Sequence, residues 1–314
     1  MMDGLILYAM YLLLGLVSGT AGGLIGIGGG AIVVPALTLI FHKNVHLAIA
    51  ASLVQMIFVA SSSAYGHYRN GYILKSVVVR LVPLAAVCAI IGVLVGSKVP
   101  SAPLQRIFAV FLAYTALDTA YRLARNIIGK HPDEEPLREF APKNEWSIPA
   151  VAAPMGLSCG ILGIGGGSIA VPALHMFLRL PLKNAIANSA AAIFFSSIIA
   201  SVVKAASIDG MAVPVAGGGT MMLHWYDAVI VGLLLAPGSF VGGWIGARLV
   251  KRSPTGVIRV VFITVLLYSA YDMWTKAEGK RTPAATAIES RANPVIPASP
   301  EGEAHSDASA AVSP

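Results

Sequence analysis

The sequence predicts an all-α polytopic membrane protein built from two homologous halves. Only 12% of its 314 residues are charged and 56% are hydrophobic, whereas a soluble domain carries about 25% charged residues. The apolar residues fall in blocks long enough to cross a hydrocarbon layer about 30 Å thick, which takes roughly 20 helical residues. A Gly-Ile-Gly-Gly-Gly signature occurs once in each half, at residues 26–30 and 163–167.

Eight apolar segments follow one another along the chain. Their expected limits are Leu5–Phe41, Leu47–Tyr65, Val77–Lys98, Ile107–Leu123, Ile148–Leu178, Ala185–Ala206, Ala228–Val250 and Val257–Trp274. Four segments form a first transmembrane repeat over residues 1–125 and four form a second over residues 148–275. A hydrophilic linker over residues 126–147 joins them. Residues 276–314 contain almost no large apolar side chains, so we expect a disordered C-terminal tail.

The two halves correspond beyond the signature. Matching residues recur in the same order as the pairs Gly19/Gly156, Gly23/Gly160, Ser52/Ser189, Phe108/Phe262, Tyr114/Tyr268 and Asp118/Asp272. Chance could produce one such match but hardly the series. A duplicated four-span unit is therefore the best explanation of the chain.

Each half begins with a segment that is too long for one helical crossing. Leu5–Phe41 would measure about 55 Å as one helix, and each glycine in its middle disfavours helix by about 1 kcal/mol. We expect a break at each signature, so that the segment re-enters or crosses back as a hairpin. This arrangement divides the basic residues of the loops more unevenly between the two faces, as the positive-inside rule favours. It also makes the halves inverted repeats.

The glycines fall into two groups with different expected roles. Glycines at i, i+4 spacing should let helices approach closely, as in Gly15/Gly19/Gly23, Gly92/Gly96 and Gly238/Gly242/Gly246. Consecutive glycines instead free the backbone from helical dihedrals and leave N–H groups unpaired at the start of the next helix. Those donors, together with the helix dipole, favour an anion.

We therefore expect the two signatures to form facing anion cradles. Their members are Gly26, Gly28, Gly29 and Gly30 in the first half and Gly163, Gly165, Gly166 and Gly167 in the second. Unpaired backbone at membrane depth is tolerated only where it is buried in protein or lines a wet cavity. The alternative is a tight turn without a ligand.

Polar residues inside the spans are candidates for the rest of a substrate shell. Ser52 and Gln55 lie in the second segment, and Asn188 and Ser189 lie in its counterpart. The alternative for such residues is a contact between helices, worth about 0.6 kcal/mol. Lys204, near a predicted span end, is expected to extend its ammonium to the membrane surface.

Several other classes of function are disfavoured. The net charge of +7 does not indicate nucleic-acid binding, because the basic residues lie in short loops between spans. Cys88 and Cys159 lack the spacing of a disulfide or metal site, and we predict neither a cofactor nor a metal. Residues 156–160 match the G-x-S-x-G hydrolase pattern, but they lie within a membrane segment instead of a strand-to-helix turn. An intramembrane enzyme and a non-transporting assembly subunit remain as alternatives.

The motifs resemble those of the sulfite exporter TauE/SafE family of membrane transporters. Residues 26–30 are followed by Pro35-Ala36-Leu37, and residues 163–167 are followed by Pro172-Ala173-Leu174. Further matches are Ala51-Ser52-Leu53 and residues 67–71, and the resemblance covers about residues 5–275. The family frequently has a Thr-Ser pair where this chain has Ala51-Ser52 and Asn188-Ser189, a departure that concerns the substrate more than the fold.

The resemblance implies secondary transport of small anions, often sulfur-containing ones such as sulfite and organosulfonates, across a bacterial inner membrane. Since no nucleotide-binding site is present in the sequence, an ion or proton gradient would drive the transport. The expected partners are a small anionic solute and the lipid bilayer. The sequence leaves open the exact substrate, the direction of transport, the coupling ion and whether the chain forms a homo-oligomer.

Overall fold

The computed structural model describes residues 2–128, 137, 147–214, 220–250 and 256–277. In these ranges the chain forms ten helices and one β-hairpin. The helices are α1 (Met2–Ile25), α2 (Gly30–Leu39), α3 (Val45–Arg69), α4 (Lys75–Lys98), α5 (Ser101–Ile128), α6 (Ser147–Leu162), α7 (Gly167–Phe177), α8 (Leu182–Ile208), α9 (Trp225–Leu249) and α10 (Gly256–Ala277). The strands β1 (Met211–Pro214) and β2 (Thr220–Leu223) pair antiparallel between α8 and α9.

The break predicted in each signature is present. Helix α1 ends at Ile25 and α2 begins at Gly30, while α6 ends at Leu162 and α7 begins at Gly167. Three glycines in each break have φ between +65° and +86°, in the left-handed region that glycine adopts without steric cost. These are Gly26, Gly28 and Gly29 in the first half and Gly163, Gly165 and Gly166 in the second.

The first segment folds back on itself after its break. The rings of Tyr11 in α1 and Phe41 just after α2 stack with centroids 4.4 Å apart. Nearer the break, a Cβ built on Gly29 would lie 3.0 Å from the Ser18 carbonyl oxygen. Helix α2 therefore runs back along α1, and the long segment is a helical hairpin.

Helices α3 and α8 are the most buried of the long apolar helices and lie at the centre of the bundle. They run antiparallel, because His46 at the start of α3 lies beside Lys204 near the end of α8. The outer helices turn large apolar side chains outward, including Leu5, Val79, Val110 and Phe240. Such an outer surface suits lipid rather than water.

Five helices are long and apolar enough to cross a bilayer within the described residues: α1 from Gly4, α3, α4, α8 and α9. The eight predicted segments are all helical there, with modest differences in their limits. Helix α5, for example, begins at Ser101 instead of Ile107, since Pro103 is compatible with the first turn of a helix. Most of the predicted linker, residues 126–147, and nearly all of the predicted tail, residues 276–314, lie outside the described residues.

The glycines at i, i+4 spacing bring helix backbones into direct contact, as predicted. In the α1–α9 pair, a Cβ on Gly242 would collide with the Leu16 carbonyl oxygen and would lie 2.8 Å from the Thr20 nitrogen. The same kind of contact joins α4 to α6, where a Cβ on Gly92 would lie 2.6 Å from the Leu157 carbonyl oxygen. Small residues at these positions allow the close approach.

We expect Gly242→Ala to destabilise the protein by about 1–3 kcal/mol, because the added methyl group overpacks the α1–α9 contact. Gly4→Ala is the matched control, since a Cβ at Gly4 meets nothing within 4 Å. Thermal unfolding of the two purified variants in detergent measures the difference. Equal melting temperatures for both variants would contradict the packing described here.

Candidate functional site

The two glycine signatures meet backbone to backbone inside the bundle. A Cβ on Gly30 would collide with the Gly163 carbonyl oxygen, and a Cβ on Gly167 would collide with that of Gly26. The loops therefore lie antiparallel, with the start of each against the end of the other. We call residues 26–30 and 163–167 the crossed glycine loops. All ten residues are buried, and no side chain larger than hydrogen fits between the two backbones at these contacts.

Two serines connect the crossed glycine loops to the opposite halves of the chain. The hydroxyl of Ser52 in α3 donates to the Gly163 carbonyl at 2.9 Å and shares this bond with the Ile49 carbonyl of its own helix at 2.8 Å. Ser189 of α8 donates one to the Gly26 carbonyl at 3.2 Å. Each serine thus binds the loop of the other half. Both were predicted to lie at the site, and each binds a loop carbonyl of the other half.

Two apolar side chains pack beside the centre of the crossing. A Cβ on Gly28 would lie 2.8 Å from Met56 Sδ and 3.4 Å from Ile193 Cγ2. A Cβ on Gly165 would lie 2.5 Å from Met56 Sδ and 3.2 Å from Ile193 Cγ2. Met56 and Ile193 each stand four residues after the serine of their own helix. Sequence reasoning missed them, and this shared offset is the signal that could have identified them.

The starts of α2 and α7 supply hydrogen-bond donors at the crossing. Gly29 and Gly166 cap these helices in the left-handed conformation, and their carbonyls accept the first intrahelical bonds. No backbone carbonyl of the described residues accepts a hydrogen bond from the N–H groups of Gly30 or Gly167, as expected for the first turn of a helix. Partial positive charge therefore collects where the loops cross.

Ser168 adds a hydroxyl to the start of α7. Its side chain is 4% exposed, and its Oγ has no hydrogen-bond partner among the described residues. The first half has Ala31 at the equivalent position, so the two helix starts differ in their donors. Sequence reasoning did not select Ser168, although it directly follows the second signature.

Gln55 lies beside the first loop and is fully buried. Its Nε2 donates to Ser239 Oγ at 2.7 Å and to Ser18 Oγ at 3.4 Å, linking α3 to α9 and α1. A Cβ on Gly29 would lie 3.4 Å from the same nitrogen. Its Oε1 has no partner among the described residues. The structure thus places Gln55 next to the first loop.

Asn188 does not join this group, although it was predicted to complete the shell. Its Oδ1 accepts a hydrogen bond from the Leu74 N–H at 2.9 Å, and its Nδ2 donates to the Asn184 carbonyl at 2.7 Å. Asn188 directly precedes Ser189, but successive residues on a helix point about 100° apart. Its amide therefore holds the loop between α3 and α4.

The position of Lys204 also differs from the prediction. The side chain is fully buried, and its Nζ donates to Ser97 Oγ on α4 at 2.9 Å. The prediction that its ammonium reaches the membrane surface is wrong, because the end of α4 covers this part of α8.

The family model for the sulfite exporter TauE/SafE matches residues 11–273 of the chain. The chain belongs to the sulfite exporter TauE/SafE family. The match includes both crossed glycine loops, both serines and all ten helices in whole or in part. The family resemblance read from the two signatures is therefore confirmed.

Relatives in several bacteria carry the name probable membrane transporter protein. The probable membrane transporter protein MamO of Magnetospirillum gryphiswaldense is 29% identical over 289 residues, which cover 84% of this chain and 44% of that protein. YunE of Bacillus subtilis, with the same description, is 28% identical over 83% of this chain and 94% of its own length. A probable membrane transporter protein of Haemophilus influenzae is 24% identical over 84% of this chain and 97% of its own length.

The chain spans less than half the length of its MamO relatives and nearly the whole of YunE. No solved structure matches it. The TauE/SafE family is one of multi-pass membrane transporters and not of enzymes, and the chain belongs to it. In keeping with this, the hydroxyl of Ser158, from the G-x-S-x-G pattern, donates to the Pro154 carbonyl within α6.

Proposed function

We propose that this chain is a secondary transporter that moves small, sulfur-containing anions such as sulfite and organosulfonates across the bacterial inner membrane. One observation carries the proposal. The starts of two short helices meet inside an apolar bundle, and their first N–H groups have no backbone partner among the described residues. Backbone donors at a helix start bind oxyanions, and the low dielectric of the bundle strengthens that attraction.

We assign the anion to the crossed glycine loops, with Gly26, Gly28, Gly29, Gly30, Gly163, Gly165, Gly166 and Gly167 as the cradle. Ser52 and Ser189 hold the loop carbonyls, so that the N–H groups keep their direction. Gln55 lies close enough to Gly29 to join the shell, and Ser168 supplies a hydroxyl at the start of α7. Asn188 supports the site indirectly, through the loop before α4.

We infer further that the two halves, residues 1–125 and 148–275, are inverted repeats that each cross the bilayer as a hairpin and three helices. The antiparallel course of α3 and α8 supports this inference. So does the exchange in which the serine of each half binds the loop of the other. Inverted repeats that carry interrupted helices place the substrate site near the bilayer midplane.

Two apolar side chains packed at the centre of the crossing support alternating access. Met56 and Ile193 lie against both glycine loops, so an anion can pass only when these side chains move. A solute gradient, of ions or protons, would drive the exchange between inward-open and outward-open forms. In this mechanism the crossed loops stay together while the surrounding helices rock about them.

Proteoliposomes that contain only this chain test the proposal. We expect uptake of ³⁵S-sulfite that saturates with concentration and is inhibited by organosulfonates more than by neutral solutes of similar size. Liposomes without protein are the control. An absence of flux for sulfite, organosulfonates and small carboxylates would contradict transport of small anions and favour an assembly subunit. Saturable flux of carboxylates alone would correct the substrate class.

A further inference from the structure

Two buried basic side chains occupy equivalent positions in α3 and α8. His67 stands fifteen residues after Ser52, and Lys204 stands fifteen residues after Ser189. Both side chains are 0% exposed. Fifteen helical residues span about 22 Å. Because α3 and α8 are antiparallel, His67 and Lys204 lie on opposite sides of the crossed glycine loops.

Lys204 has polar neighbours but no carboxylate partner among the described residues. Its Nζ donates to Ser97 Oγ at 2.9 Å and lies 3.5 Å from His46 Nδ1. No Asp or Glu of the described residues forms an ion pair with it. A buried charge without an opposite charge is strongly unfavourable. An ammonium in this setting is suited to attract an anion.

His67 also has unused hydrogen-bonding capacity. The backbone of Gly23 lies near its ring, yet neither ring nitrogen has a hydrogen-bond partner among the described residues. A buried polar group is normally satisfied, and each exception calls for an explanation. An imidazole can donate to an oxyanion through one nitrogen when neutral and through both when protonated.

Other unpartnered polar atoms lie on the same helices, from the crossing itself toward these two residues. On α3, Gln55 Oε1 and Ser63 Oγ have no partner among the described residues, and on α8 the same holds for Ser196 Oγ. Gln55, Ser63 and His67 are spaced by multiples of four, as are Ser196 and Lys204. Residues four apart are neighbours on one helix surface. We call these sets the α3 polar row and the α8 polar row.

We propose that the two polar rows line the path of the anion, with His67 and Lys204 as basic stations on opposite sides of the crossed glycine loops. This inference rests on the proposed function. The polar rows form the route of the anion, and His67 and Lys204 attract the anion before and after it reaches the loops. An oxyanion accepts hydrogen bonds from the Lys204 ammonium, the His67 ring and the serine hydroxyls in turn. Such groups inside a membrane bundle typically mark substrate pathways.

The Lys204 station is tested with Lys204→Met, Lys204→Arg and the control Lys276→Met. Methionine keeps the length of the side chain and removes its charge, whereas arginine keeps the charge. Lys276 belongs to neither polar row, is about one-third exposed, pairs with Asp272 at 3.8 Å and donates to the Leu39 carbonyl at 3.5 Å. We expect Lys204→Met to raise the KM for ³⁵S-sulfite about tenfold or more, with much smaller changes for the other two variants.

The His67 station is tested in the same assay with His67→Gln and His67→Phe, beside His42→Gln at an exposed histidine. Glutamine keeps a donor and should retain most of the transport, whereas phenylalanine should raise the KM about tenfold. A second measurement, the increase in melting temperature caused by sulfite, reports binding without transport. This increase should shrink in Lys204→Met and in His67→Phe.

The outcomes separate this inference from the proposed function. If the wild-type chain transports sulfite and both Lys204→Met and His67→Phe keep its KM and its thermal shift, the stations are refuted while the transporter stands. If Lys204→Arg is as impaired as Lys204→Met although both fold, the charge is not what matters and the Lys204 station is refuted. If the wild-type chain moves no anion and sulfite does not shift its melting temperature, both proposals fail.

Discussion

Gly29→Val and Gly166→Val variants are expected to insert into the membrane but to transport sulfite no faster than empty liposomes. Both glycines have positive φ, +86° and +68°, where a β-branched residue is strained by about 1–3 kcal/mol. A Cβ on Gly29 would also lie 3.0 Å from the Ser18 carbonyl oxygen, and one on Gly166 would collide with that of Met155. The N–H groups at the starts of α2 and α7 would then lose their positions.

Gly71→Val is the matched control for these variants. Gly71 also has a positive φ, +71°, but a Cβ there meets nothing within 4 Å. It therefore reproduces the backbone strain without disturbing the crossed glycine loops. Size-exclusion chromatography shows whether each variant is folded, and flux is compared at equal protein content. Wild-type flux in a folded Gly29→Val or Gly166→Val variant would contradict the assignment of the anion to these loops.

The double variant Ser52→Ala/Ser189→Ala is expected to lose most of its transport and about 2–6 kcal/mol of stability. Each substitution leaves a loop carbonyl, of Gly163 or Gly26, buried without its hydrogen-bond donor. An unsatisfied buried acceptor costs about 1–3 kcal/mol. The two loops are in direct contact, so loosening either one disturbs the N–H groups of the other. Thermal unfolding and sulfite flux of both single variants and the double variant measure the coupling between the two serines.

Ser61→Ala and Ser197→Ala serve as controls in the same helices. Their hydroxyls donate only to the carbonyls of Phe58 and Phe194, three residues earlier in the same helix. We expect each to retain near wild-type flux and stability. If Ser52→Ala and Ser189→Ala behave no differently from these controls, the hydrogen bonds from each serine to the loop of the other half have no functional role.

The membrane-protein class, the positions of the helical segments and the two breaks could be predicted from the sequence because they depend on local properties. Segment length sets the number of crossings, and consecutive glycines interrupt a helix wherever they occur. The close α1–α9 and α4–α6 contacts also follow a local rule, the i, i+4 spacing of small residues. The β1–β2 hairpin was missed, since runs of four residues are too short to show a reliable period.

The arrangement of the site could be predicted only in part, because it depends on contacts between distant segments. That the signatures face each other followed from the duplication, but the collision of Gly30 with the Gly163 carbonyl did not. Met56 and Ile193 read as ordinary apolar residues of a membrane helix, whereas they pack against both loops. Lys204 looked like a residue at a membrane surface, and only the position of Ser97 on α4 shows that it is buried.

Crystals of the chain grown with selenite, a heavier analogue of sulfite, would locate the anion by the anomalous scattering of selenium. We predict a peak at the crossed glycine loops, within hydrogen-bonding distance of the N–H groups at the starts of α2 and α7. The proposed site would be contradicted if the only strong selenium peaks lie elsewhere in the protein and these N–H groups are hydrogen-bonded to other protein atoms.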